Sequence, residues 1–155
     1  MTGKDKFTPI ERSAIMAAVR STDTTPERVV RSTLHRLGYR YRLHDTRLPG
    51  KPDLSFPSRH VAIFVHGCFW HRHPDCRKGA ATPVARREYW TAKFARTVTR
   101  DAANRTALEN NGWTVMVVWE CQLRGADWLL PAQKILDAAR LRSPDKLGMK
   151  MNRSL

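Results

Sequence analysis

Long apolar runs are missing from this 155-residue chain. The longest reach about six residues, where a membrane-spanning helix needs about 20, so such a helix is excluded. The opening residues Met1-Thr2-Gly3-Lys4-Asp5-Lys6 contain no apolar core of a secretion signal; a cytoplasmic protein is expected. Cysteine is scarce: Cys68, Cys76 and Cys121 make an odd number, which argues against a disulfide framework and for metal binding. Acidic residues are short as well. The 14 Asp and Glu stand against 28 Lys and Arg, leaving a net charge of +14. No segment sets a distinct basic face against a wide apolar one, as a membrane-surface helix would. The expected partner is therefore a polyanion and not a membrane. Internal repeats and low-complexity tracts are absent too. The length fits one monomeric domain over residues 1–155 with a core of its own, its ends at 1–8 and 143–155 loose.

What is present begins with a helix over Pro9–Arg20. Its apolar residues, among them Ile10, Ala14, Met16 and Val19, nearly encircle it. Such a helix either packs on the body or inserts into a partner. A second helix starts at Asp23-Thr24-Thr25-Pro26-Glu27, where Thr25 can cap, Pro26 suits the first turn and Glu27 complements the dipole. Val29, Val30, Leu34 and Leu37 form its core side, and Gly38 stops it. Strands are predicted over Tyr39–His44, Asp53–Phe56 and His60–His66, separated by turns at 48–52 and 57–59. Arg77–Ala85 reads as a basic loop and Arg86–Asn110 as a long helix closed by Asn111-Gly112. Trp113–Trp119 reads as a buried strand. Ala126–Leu141 is the last helix, its start pushed toward Leu130 by Pro131. This order predicts an α/β fold: a central mixed sheet flanked by helices.

The chain is organised around Val65-His66-Gly67-Cys68-Phe69-Trp70-His71-Arg72-His73-Pro74-Asp75-Cys76. Three histidines, two cysteines and two adjacent aromatics follow directly on the apolar run 61–65. Cys68, His73 and Cys76 supply three closely spaced ligands. Cys121, just past a strand expected to neighbour Val61–His66, is the natural fourth. Three thiolates and one imidazole make a closed, structural zinc site, which can contribute roughly 10–16 kcal/mol of apparent binding energy. His71 is an alternative to His73; His73 is preferred because it leaves His71 free.

A second group is acidic. Asp53 precedes a strand, and His66 ends the neighbouring one. A buried carboxylate there needs a counter-ion, and Mg²⁺ with waters and a backbone carbonyl would satisfy it. In so basic a protein that arrangement points to phosphodiester chemistry. A histidine, with an unperturbed pKa of about 6.5, can activate water or donate a proton. His66 and His71 are both placed for this.

Together these residues resemble the very-short-patch-repair (Vsr) mismatch endonucleases. The matching pieces are Leu48-Pro49-Gly50-Lys51-Pro52-Asp53, His66-Gly67-Cys68-Phe69-Trp70-His71, Glu88-Tyr89-Trp90, Gly112-Trp113, Val117-Val118-Trp119-Glu120-Cys121 and Leu123-Arg124-Gly125. The resemblance covers roughly residues 10 to 141. It implies a restriction-endonuclease-like fold. It implies an Mg²⁺-dependent nick in duplex DNA on the 5′ side of the thymine in a T·G mismatch, the product of 5-methylcytosine deamination. By position, Asp53 is then the direct Mg²⁺ ligand and the Val65 carbonyl a second. His66 and Glu27 become outer groups that hold water, and His71 the general acid/base oriented by Asp101. Cys68, His73, Cys76 and Cys121 match the zinc ligands. Phe69, Trp70 and Trp90 match aromatics that wedge into the DNA stack, and Met16 and Val19 a minor-groove insertion. Two departures mark this chain: Val65 stands where the family often has a hydroxyl residue, and His73 to Cys76 is one residue longer than in some relatives.

The wedge is energetically reasonable. Unstacking costs a few kcal/mol, base–aromatic stacking returns about 1–3 kcal/mol per base, and a mismatched step is already weaker. In an extended chain the adjacent Phe69 and Trp70 could not both face one core, which favours DNA for this pair; Trp113 and Trp119 read as core. Competing with the mismatch nuclease are a zinc-stabilised DNA-binding module without catalysis and a nuclease of the same fold with another target.

Overall fold

A computed structural model describes Thr8, Ile10 and residues 23–140. The expected first helix with Met16 and Val19 lies outside these residues, as does the chain beyond Arg140. At the centre is strand β3 (Val61–His66), in a four-stranded sheet with β1 (Arg42–Leu43), β2 (Leu54–Phe56) and β4 (Thr114–Trp119). The strand order is β1-β2-β3-β4. β1 and β2 are antiparallel, as are β2 and β3. β3 and β4 are parallel over six residue pairs, from Val61↔Thr114 to His66↔Trp119. A parallel pair needs a long crossover, supplied by α3 (Arg87–Asn110).

Strand alternation sorts the side chains onto two faces. Val61 and Ile63, with Leu54 and Phe56 of β2, meet α1 (Thr25–Arg36) and α4 (Leu129–Arg140) through Val30, Leu34, Trp128, Ala132 and Leu136. Ala62 and Phe64 face the other way, with Leu108 of α3, Val115 and Trp113. The same two-residue period carries His66 to that second face and puts Ser55, and Asp53 before it, opposite Leu54. The expected mixed sheet between helices is therefore what forms. Among the described residues no helix is long and apolar enough to cross a membrane.

Several boundaries move. Thr24, not Thr25, caps α1, its hydroxyl accepting from the Glu27 N–H at 3.4 Å. Val29 and Leu37 are exposed, not core: Val29 lies about 100° round the helix from Val30, and Leu37 is already the cap. β1 is two residues long because His44 turns into left-handed backbone, φ 46°. Residues 77–80 form one helical turn, α2 (Arg77–Ala80), where a loop is expected. Gly79 explains it: an added Cβ would lie 2.1 Å from the His73 carbonyl oxygen, so only glycine lets this turn close over the loop before it. α4 starts at Leu129, near where Pro131 directs it.

Candidate active site and metal centre

The carboxyl end of β3 and the loop after it separate two clusters. In the first, the ligand atoms of Cys68, His73, Cys76 and Cys121 all lie within 4.8 Å of one another. His73 Nδ1 is 3.6 Å from Cys68 Sγ and 3.4 Å from Cys121 Sγ. Around a tetrahedral zinc, with Zn–S about 2.3 Å and Zn–N about 2.0–2.1 Å, sulfur and nitrogen stand about 3.5 Å apart. The four groups thus have the composition and spacing of a closed site. Burial pushes the Cys68 thiol up to about 12. Backbone N–H groups of α2, Gly79 first, bring Cys76 down to about 6, so one thiol is ready to bind as thiolate. His71 is not in this cluster.

The second cluster gathers around Asp53. Its Oδ2 accepts the Val65 N–H at 2.7 Å, which seats the carboxylate against the β3 backbone. Burial, with Glu27 adding to it, raises the Asp53 carboxyl to about 6 against the opposing pull of the Val65 N–H, His44 and His71. Glu27 comes from the first turn of α1 and is buried. Its Oε2 accepts the Asp23 N–H at 3.0 Å, a capping contact. Its Oε1 is buried without a hydrogen bond, although His44 Nε2 is 2.7 Å away. His44 Nδ1 is 3.9 Å from Asp53 Oδ1. A buried carboxylate oxygen without a hydrogen bond, with the half-buried Asp53 carboxylate beside it, suits a hard divalent cation and its waters.

Beside this group His71 Nδ1 is 2.6 Å from Asp101 Oδ2 of α3. The His66 and His71 rings stack at 3.8 Å and 5°. Burial, then His71, lowers His66 to about 4, so His66 is neutral at pH 7. A carboxylate on Nδ1 fixes the orientation of His71 and leaves Nε2 to face a substrate. The helix that carries Asp101 is held close: Gly50, φ +75°, lies where an added Cβ would be 2.9 Å from Asn104, one turn along α3 from Asp101.

Phe69, Trp70 and Trp90 meet in one aromatic cluster with Phe94. Ring centroids are 5.0 Å apart for Phe69–Trp70, 6.0 Å for Phe69–Trp90 and 5.1 Å for Phe69–Phe94. The argument from an extended chain fails here, because residues 68–72 form a turn that brings both neighbours to the same side. Trp90 is buried, Phe69 and Trp70 half-buried. Lys93 Nζ lies 5.3 Å from the Trp70 ring and 5.5 Å from Trp90, a cation–π arrangement. Trp119 is not simple core: it stacks on His73 at 4.3 Å and meets His66 edge-on at 5.2 Å, so it separates the two clusters.

Glu27 and Asp53 thus share one group, with Asp53 on the Val65 N–H; His66, His71 and Asp101 form a second beside it, and the cysteines gather with His73. Sequence reasoning missed His44. A signal existed: pairing Leu43 with Leu54 sets His44 opposite Asp53, and the His44 N–H donates to the Asp53 carbonyl at 3.2 Å.

The family described as DNA mismatch endonuclease Vsr matches residues 4–78. The type II nicking enzyme V.XorIIP of Xanthomonas oryzae pv. oryzae is 50% identical over 119 residues, covering 77% of this chain and 86% of that protein. The type II nicking enzyme V.NmeAIP of Neisseria meningitidis serogroup A is 42% identical over 120 residues, 77% of this chain and 84% of the relative. The DNA mismatch endonuclease Vsr of Escherichia coli K12 is 40% identical over 118 residues, 76% and 74% of the two chains.

Proposed function

Since the chain belongs to the Vsr family, we propose that it is a DNA mismatch endonuclease that nicks one strand 5′ of the thymine in T·G mismatches left by deamination of 5-methylcytosine. The observation that carries this is the convergence on Asp53 of two imidazole–carboxylate pairs, His44–Glu27 and His71–Asp101. A DNA-binding module has no use for such a group; hydrolysis of a phosphodiester does.

In this reading Asp53 and the Val65 carbonyl would hold Mg²⁺, and Glu27 and His66 would hold its water. The chemistry such an ion would supply is polarisation of the phosphoryl oxygen and stabilisation of the leaving alkoxide. His71, its Nδ1 held by Asp101, exchanges a proton through Nε2 with the attacking water or the leaving oxygen. His66 beneath it is uncharged at pH 7 and does not oppose a positive charge on His71. The basic surface supplies phosphate contacts whose strength falls with salt. Phe69, Trp70 and Trp90 wedge beside the mismatch, with Lys93 next to the backbone there; the half-buried rings exchange one another for base faces. Zinc on Cys68, His73, Cys76 and Cys121 keeps the loop that carries both His71 and the wedge in one shape.

The test is a nicking assay on duplexes carrying T·G, C·G or T·A at one position, in varied flanking sequence, with Mg²⁺ or EDTA. Single-strand nicking at T·G that needs Mg²⁺ is the expected result. Binding without cutting in every context refutes the enzyme and leaves a zinc-stabilised binding module.

A further inference from the structure

Among the described residues, His44 is the one member of the Asp53 group without an assigned role. It reaches the group through an uncommon conformation. Its φ of 46° places a non-glycine residue in left-handed backbone. Histidine tolerates this better than most residues, and such positions cluster at functional sites. The turn ends β1 and sends the imidazole inward, where it is largely covered. One ring nitrogen then faces each carboxylate: Nε2 lies 2.7 Å from Glu27 Oε1, and Nδ1 lies 3.9 Å from Asp53 Oδ1. Arg31 Nη1 also approaches Glu27 Oε1, at 3.7 Å. Glu27 is tied elsewhere by its other oxygen on the Asp23 N–H, and Asp53 by its Oδ2 on the Val65 N–H. The two carboxylate oxygens that remain are those on either side of His44.

We infer that His44 is a positioning residue: it aims Glu27 Oε1 and Asp53 Oδ1 so that the pair takes up a divalent cation with its water shell. The inference rests on the reading of Asp53 as a cation ligand. Without the imidazole, both free oxygens lose the group that orients them. The close contact to Glu27 matters more than the longer one to Asp53. The amide nitrogen of glutamine reaches the place of Nε2, and that of asparagine the place of Nδ1, so the two substitutions separate the contacts.

The experiment uses the full, zinc-loaded chain and compares wild type with His44→Ala, His44→Gln and His44→Asn. Mn²⁺, a paramagnetic stand-in for Mg²⁺, is titrated without DNA by the loss of its free-ion resonance signal. Single-turnover nicking of a T·G duplex and thermal unfolding are followed alongside. A residue that orients metal ligands typically changes affinity or activity about 10–100-fold. His44→Ala is therefore expected to weaken Mn²⁺ binding by about tenfold and to slow nicking by a similar factor, with DNA affinity and melting temperature unchanged. His44→Gln should recover more of both than His44→Asn. Unchanged or tighter Mn²⁺ binding in His44→Ala overturns the proposal. So does a parallel fall in melting temperature in all three variants, which marks a packing role. If wild type binds Mn²⁺ but nicks no mismatch, the proposed function fails while the Mn²⁺ comparison still decides His44. If wild type binds no Mn²⁺, both fail.

Discussion

The cysteine cluster and the Asp53 cluster lie on either side of Trp119 and are built in opposite ways. Three of the four cysteine-cluster ligands fall within residues 68–76, and the His73 nitrogen stands at a zinc-site separation from the Cys68 and Cys121 sulfurs. Nothing in it is left over to meet a substrate. The Asp53 group draws Glu27, His44 and Asp53 from α1, the turn after β1 and the approach to β2, and beside it stand His66, His71 and Asp101 from the end of β3, the loop beyond it and α3. It leaves a carboxyl raised to about 6 and a buried oxygen without a hydrogen bond. A saturated site holds shape. An unsatisfied one stores binding capacity, at a cost in stability that the surrounding fold must offset.

The largest effect should come from breaking the saturated site. Cys121→Ser, or chelation, should remove the metal and lower the melting temperature by at least about 10 °C, since several kcal/mol of structural-zinc binding energy are folding energy and each kcal/mol is worth about 2–4 °C at this size. Calorimetry with a zinc-sensitive dye checks it. A chelated protein that melts unchanged would erase the distinction between the sites. Next is Asp53→Ala. Nicking should fall at least about 1,000-fold, as expected for losing a metal contribution of several kcal/mol at 1.36 kcal/mol per decade. Melting should not fall, because a desolvated carboxylate is removed; single-turnover rates and thermal unfolding give both readings. Asp101→Asn should be milder, slowing nicking about 100-fold, the lower end for general acid–base catalysis, with zinc content and melting unchanged. A drop in zinc content would mean that the sites are coupled through His66, Trp119 and His73.

The smallest effect sharpens the contrast from a carboxylate outside both clusters. Asp45 is buried, Arg47 pairs with it and Ser55 donates to it, so its carboxyl is held well below the usual range, chiefly by Arg47. A depressed pKa contributes stability above the unfolded value of about 3.9 and loses it as pH falls through the folded value. Asp45→Asn should therefore melt below wild type at pH 7, and the gap should close as pH drops below about 4. A gap that persists at pH 2 would mean that lost packing, not charge, sets the difference.

The two clusters were also unequally legible. Cys68, His73 and Cys76 announce themselves by spacing, and Cys121 by following a strand. Asp53, His66 and His71 stand out as chemistry-bearing residues at strand ends. Glu27, Val65 and Asp101 were indicated only by resemblance to a family, because nothing local relates residue 27 or 101 to residue 53. His44 was passed over as a strand end, although antiparallel register would have set it beside Asp53. Phe69, Trp70 and Trp90 are indicated as wedge residues by the family resemblance; the added argument from an extended chain for Phe69 and Trp70 is removed by the turn at 68–72.

Sequence by itself determined most of the described elements, the mixed sheet between helices, the net positive charge and which cysteines to look for near His73. These depend on composition and on periodicities that act over a few residues. Tertiary structure alone decided that His44 turns inward, that His71 meets Asp101 and stacks on His66, and that Trp119 stands between the clusters. Those contacts arise where α1, β3 and α3 pack together, and their geometry follows from alternating strand faces and helix placement across residues far apart in the chain.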